Sequence, residues 1–125
     1  MKLLLDTHVF LWCVNNDRQL SKMARSVIEN ASVVYVSSAS IWEAAIKSRL
    51  GKLNVVMADL VSAISESGFE ELPISAYHAA QVYSLPDIHH DPFDRLLIAQ
   101  SISEPLRFLT ADKILQQYSE LVEVI

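Results

Sequence analysis

Lys2-Leu3-Leu4-Leu5-Asp6-Thr7 opens the chain with an apolar run that stops at a carboxylate. A run this short suits a strand buried in a sheet, and an acid at its end marks where the strand gives way to a turn or helix. Outward from it, Phe10, Leu11 and Val14 fall at helical spacing within His8 to Asn15. Leu20, Met23, Ala24, Val27 and Ile28 trace a second helical face that starts near Ser21. Val33-Val34-Tyr35-Val36 reads as a β-branched strand closed by Ser37-Ser38, and a helix is expected from Ala39 to Leu50, with Gly51 as its C-terminal cap.

The same alternation continues to the C-terminal end. Met57 to Ser67 reads as a helix ended by Gly68, Phe69 to Ile74 as a short strand, and Ser75 to Leu85 as a helix stopped by Pro86. Asp87 to Asp91 is a polar loop, and Pro92 sits at the first turn of a helix running to Ser103. Leu106 to Thr110 reads as a strand, Asp112 to Tyr118 as a short helix, and Leu121 to Ile125 as a last strand. Strands alternating with helices give right-handed crossovers, hence an α/β fold with a mostly parallel sheet flanked by helices. No repeat, linker or low-complexity tract divides the chain, so one domain is expected over residues 1–125.

Half of the composition, 51%, is hydrophobic, enough for a real core. The single cysteine, Cys13, excludes an intramolecular disulfide framework and suits a reducing compartment; a core thiol is its expected role. The first apolar run is broken at Asp6, which does not fit a signal peptide, and no stretch approaches the ~20 apolar residues of a membrane span. A cytoplasmic protein is expected. The formal net charge of -5 argues against a general phosphate-binding surface. Carboxylates that share divalent cations invert that logic locally, so the positions of the acids decide.

Four acids fall at comparable places. Asp6 ends the first strand, Glu43 lies one turn into the helix after the second, Asp94 lies in the first turn of the helix after the histidine loop, and Asp112 follows the strand Leu106 to Thr110. In an open parallel sheet these positions meet at the carboxyl edge of the strands. Each acid also has a local reading: Asp6 and Asp112 as helix N-caps, Ser40 with Glu43 as a capping box, Asp94 as a favourable first-turn charge. Capping does not require convergence, however. Four carboxylates packed together repel, and Mg²⁺ or Mn²⁺ relieves that repulsion through oxygen ligation. Thr7 and Thr110 place hydroxyls beside two of the acids, to orient water or to satisfy strand ends.

Leu3-Leu4-Leu5-Asp6-Thr7, Ser40-Ile41-Trp42-Glu43, Asp91-Pro92-Phe93-Asp94-Arg95-Leu96-Leu97-Ile98-Ala99-Gln100 and Leu109-Thr110-Ala111-Asp112 together resemble, in order, the motifs of PIN domains, and among them the VapC-type toxins of bacterial toxin–antitoxin systems. The resemblance spans essentially the whole chain. It implies a PIN-like three-layer sandwich and a Mg²⁺- or Mn²⁺-dependent endoribonuclease, commonly a homodimer, that cuts an RNA substrate and is held inactive by a protein antitoxin. Position by position it makes Asp6, Glu43, Asp94 and Asp112 the metal-binding acids and Thr110 the accessory hydroxyl. Asp91 is read as the cap of its helix.

Other residues carry weaker signals. His89-His90 beside Asp91 invites a zinc reading, but adjacent histidines lack helical ligand spacing and no cysteine supports them, so a solvated or substrate-touching loop is expected. His8 and His78 show only helix positions. Trp12 and Trp42 are assigned to core or dimer packing ahead of base stacking. Lys47, Arg49 and Lys52 form a basic patch that either complements a helix C-terminus or holds phosphate. Arg95 pairs with a carboxylate or touches RNA. A phosphatase of the haloacid dehalogenase type would need an acid where His8 stands. A receiver-like acidic pair is missing, and two glycines leave no P-loop, Rossmann or G-x-S-x-G turn. A non-catalytic binding module is the remaining rival, weakened by the presence of all four acids.

Overall fold

A computed structural model describes residues 1–125. Its five strands are β1 (Lys2–Leu5), β2 (Val33–Ser37), β3 (Glu70–Leu72), β4 (Arg107–Thr110) and β5 (Val122–Val124). They lie side by side in the order β3-β2-β1-β4-β5, and all four pairings are parallel. The helices are α1 (Thr7–Asn15), α2 (Lys22–Asn30), α3 (Ser38–Arg49), α4 (Met57–Glu66), α5 (Ala76–Gln81) and α6 (Pro92–Ser103). None is long and apolar enough to cross a membrane.

The apolar opening run explains the layering. Side chains alternate across a pleated strand, so Leu3 and Leu5 enter one core with Val9, Phe10, Val34, Val36, Leu60 and Leu109. Leu4 enters the other, with Leu97, Ile98, Phe108, Leu115 and Val122. The register agrees, because Leu4 pairs with Phe108 and Leu5 with Leu109. All three leucines are completely buried. β1 is thus the middle of a three-layer sandwich, apolar on both faces as a central parallel strand must be.

Three elements differ from the sequence reading by more than a residue or so at their ends. The helix expected from Ser75 to Leu85 is only α5 followed by a 3-10 turn at Val82–Ser84. Pro86 drives Leu85 out of the helical region, and the chain tightens before it. β3 is shorter than Phe69 to Ile74, because Pro73 has no N–H for the ladder. Asp112 to Tyr118 is not an α-helix but a 3-10 segment, Lys113–Gln117, with Asp112 as its cap. Gly51 is left-handed (φ +74°) just beyond α3, the conformation its capping role requires.

α3 starts one residue earlier than expected, and its N-cap is Ser37, whose buried hydroxyl accepts from the Ala39 N–H at 3.0 Å. Ser37→Ala should therefore lower stability by about 1 kcal/mol, read as a fall in the urea midpoint at unchanged slope. An unmoved midpoint would show that this cap contributes nothing.

Candidate metal centre

β1 is flanked by β2 on one side and β4 on the other, so the chain winds away from it in both directions. At such a switch point the segments leaving the strand ends diverge and open a crevice. Asp6 leaves β1 there, Asp112 follows β4, Glu43 stands on α3 after β2, and Asp94 stands on α6. All four border one cavity of about 470 Å³, joined by His8, Trp12, Lys47, Asp91 and Ala111. The four expected acids do converge.

Two of them also cap helices, so the two readings coexist. Asp6 is the N-cap of α1: one carboxylate oxygen, Oδ1, accepts from the Thr7 N–H at 2.7 Å. Its other oxygen, Oδ2, accepts from the Thr110 hydroxyl at 2.6 Å. Thr110 Oγ1 in turn accepts from the Asp112 N–H at 3.1 Å, so one hydroxyl fixes the acids after β1 and β4 together. Thr7 does not serve the cavity: its hydroxyl donates to Ser40 Oγ at 2.9 Å and ties α1 to α3. The capping box expected of Ser40 and Glu43 is absent, because Ser37 holds the cap position. Glu43 is therefore free to face the cavity.

The electrostatics are those of crowded, dehydrated acids. Burial holds the Asp6 carboxyl above its ordinary range, against the lowering effect of the Thr110 hydrogen bond. Burial, then the charge of Asp6, pushes Asp94 up to about 7, while its hydrogen bond to His89 pulls the other way. His89 Nε2 lies 2.9 Å from Asp94 Oδ2. Asp91 accepts from the N–H groups of Phe93 and Asp94, so it caps α6 as expected and borders the cavity as well. Against this excess of negative charge stands Lys47, whose Nζ is 2.7 Å from Glu43 Oε2 one helical turn away. That hydrogen bond raises the lysine's pKa further, with added pull from Asp91 and Asp94. Lys47 thus faces the cavity from the last turn of α3. Carboxylates that resist ionisation around an open space are the donor set that a hard divalent cation relieves.

A family model described as PIN domain matches residues 3–121. The chain belongs to the PIN-domain family. Among characterised proteins none matches it in sequence. Its fold is similar to that of VapBC2 from Rickettsia felis, bound to a DNA fragment from its promoter, with TM-score 0.73 at 17% identity over 100% of this chain and 99% of that one. DNA-bound VapBC from Salmonella typhimurium gives 0.69 at 15% identity, covering 100% and 97%. A toxin–antitoxin complex from Klebsiella pneumoniae gives 0.68 at 14%, covering 98% and 96%.

Elsewhere in this PIN domain, the other residues singled out in the sequence take the following places. Trp42 is not core: it is 58% exposed and packs edge-on against Phe93, ring centroids 5.0 Å apart. Arg95 pairs with no carboxylate; it donates to the carbonyls of Pro86, His89 and Val82 and to the Tyr118 hydroxyl. Cys13 is half-buried beside the first core, and burial pushes its thiol up to about 11, so it is inert. His78 has a structural role: Nδ1 accepts from Ser75 N–H, which leaves Nε2 to donate to Glu104 at 2.6 Å. His8, read only as a helix position, faces the cavity, as do Trp12 and Lys47, for which base stacking and phosphate holding are among the sequence readings.

Proposed function

We propose that this PIN domain is a Mg²⁺- or Mn²⁺-dependent endoribonuclease acting in the cytoplasm as the toxin of a toxin–antitoxin pair, with residues 1–125 working as one domain. The observation that carries the reading is the convergence of Asp6, Glu43, Asp94 and Asp112 on one cavity beside the central strand. Three solved structures of similar fold are VapBC or toxin–antitoxin complexes, which supports a protein antitoxin as partner. A homodimer is the assembly that the motif resemblance implies.

In this reading Asp6, Glu43, Asp94 and Asp112 hold the ion. A bound ion supplies an activated water and steadies charge on the leaving oxygen of a phosphodiester. The protein's own part is positioning. Thr110 locks the Asp6 carboxylate in one orientation and, through the Asp112 N–H, keeps β1 and β4 ends at fixed separation. Lys47, on the cavity wall beside Glu43, would offer its ammonium to the substrate phosphate. Trp12 forms part of the cavity wall against which a nucleotide would lie.

The purified protein should cut single-stranded RNA internally in Mn²⁺ or Mg²⁺ and stop in EDTA. Cleavage that persists in EDTA, or RNA left intact with either ion, overturns the proposal.

A further inference from the structure

A nitrogen stands against two of the four acids, although its residue, His89, does not line their cavity. The ligating atoms of His89, Asp94 and Asp112 all lie within 4.8 Å of one another, close enough to share one ion. The loop histidine is held there by its backbone. Its carbonyl accepts from the Tyr118 hydroxyl at 3.1 Å and from Arg95 at 3.4 Å, so residues from α6 and from the segment after β4 both pin it. Arg95 is itself fixed, donating at 2.9 Å to Pro86 and lying over the Tyr118 ring. The next residue makes the contrast. His90 has an 88% exposed side chain and only a loose 3.5 Å contact with the equally exposed Asp87, whereas the His89 side chain is 26% exposed and faces Asp94. Anchoring of a ligand's support is the usual mark of a prepared metal site.

Resting on the ribonuclease reading above, we propose that His89 Nε2 is a ligand of the bound ion, together with Asp94 and Asp112, and that this nitrogen tunes the site toward transition ions such as Mn²⁺ and Co²⁺ over Mg²⁺. Imidazole suits the later divalent metals, whereas Mg²⁺ takes oxygen and keeps its waters. For His89 to act as a ligand, the proton held between Nε2 and Asp94 would leave to solvent, so that Nε2 presents a lone pair.

The test is spectroscopic and needs no turnover. In Mn²⁺-loaded wild-type protein, pulsed electron paramagnetic resonance should show ¹⁴N modulation from a directly bound imidazole. His89→Ala should abolish it, while His90→Ala and His8→Ala keep it. By calorimetry, His89→Ala should weaken Co²⁺ binding by at least ~10-fold and leave Mg²⁺ binding within about threefold. His89→Gln, which keeps a polar side chain in the loop, should behave as the alanine variant does. Mn²⁺ bound without nitrogen modulation, or modulation that survives in His89→Ala, overturns the His89 assignment and leaves the acidic centre standing. A wild-type protein that takes up neither Mn²⁺ nor Mg²⁺ overturns both.

Discussion

Asp6→Asn should leave the protein folded and lower Mn²⁺-stimulated RNA cleavage by about 10²- to 10³-fold, the loss typical when one preorganised charge-stabilising group is removed. The geometry explains why the fold survives. An asparagine Oδ1 still accepts from the Thr7 N–H that caps α1. Its Nδ2 then faces Thr110, whose hydroxyl can rotate to accept and already accepts from Asp112 N–H with a second lone pair to spare. A charge that burial disfavours is also gone, so the melting temperature should not fall. In the proposed function a metal ligand is nevertheless lost, because a neutral amide offers neither the charge nor the second oxygen. A folded Asp6→Asn protein that cuts RNA as fast as the parent would show that the catalytic centre lies elsewhere.

Asp94→Asn should separate stability from function. In the metal-free protein the Asp94 carboxyl holds its proton up to about pH 7, while in the unfolded chain it releases it near the ordinary 3.8. Between those values the folded state binds more protons, so stability falls as pH rises from about 4 to about 7 and stays low above. The raised Asp6 carboxyl acts in the same direction. Asparagine removes the Asp94 contribution. In EDTA at pH 8 the variant should therefore melt higher than wild type, and its stability should change less between pH 4 and 7, with Asp6 leaving a residual slope. Mn²⁺ should invert the order. Wild type gains about 2.7 kcal/mol at a hundredfold excess of ion over its dissociation constant. The variant, lacking a direct ligand, should bind at least ~100-fold more weakly and gain little. Equal melting of the two proteins in EDTA at pH 8 would mean that the acids are not crowded.

The sequence revealed the centre because its acids sit at positions that topology makes adjacent. Once Leu3 to Leu5 is a central parallel strand, Asp6 must emerge at the carboxyl edge, and the acids after the neighbouring strands follow it there. What remained hidden depends on side-chain direction within elements that are apolar around much of their circumference. α1 gives little periodic hint that His8 and Trp12 face the crevice while Val9 and Phe10 face the core. For Trp42 the exposure excludes the core role and leaves the dimer-packing role, since an apolar neighbourhood in sequence did not mean burial in this chain. His89 drew a zinc reading that spacing turned aside, because its place is set by Arg95 and by Tyr118, 29 residues later in the chain. Spacing rules cover ligands on one helix and say nothing of a loop anchored from two elements.

The bond between Thr110 and Asp6 joins residues 104 positions apart. During synthesis β1 emerges first, and the crevice beside it stays one-sided until β4 is made and docks. No shorter nascent chain can possess the complete constellation, since Asp112 and the hydroxyl that aligns Asp6 both come after residue 107. Whatever activity this constellation carries, no nascent chain can acquire it until translation has passed that point.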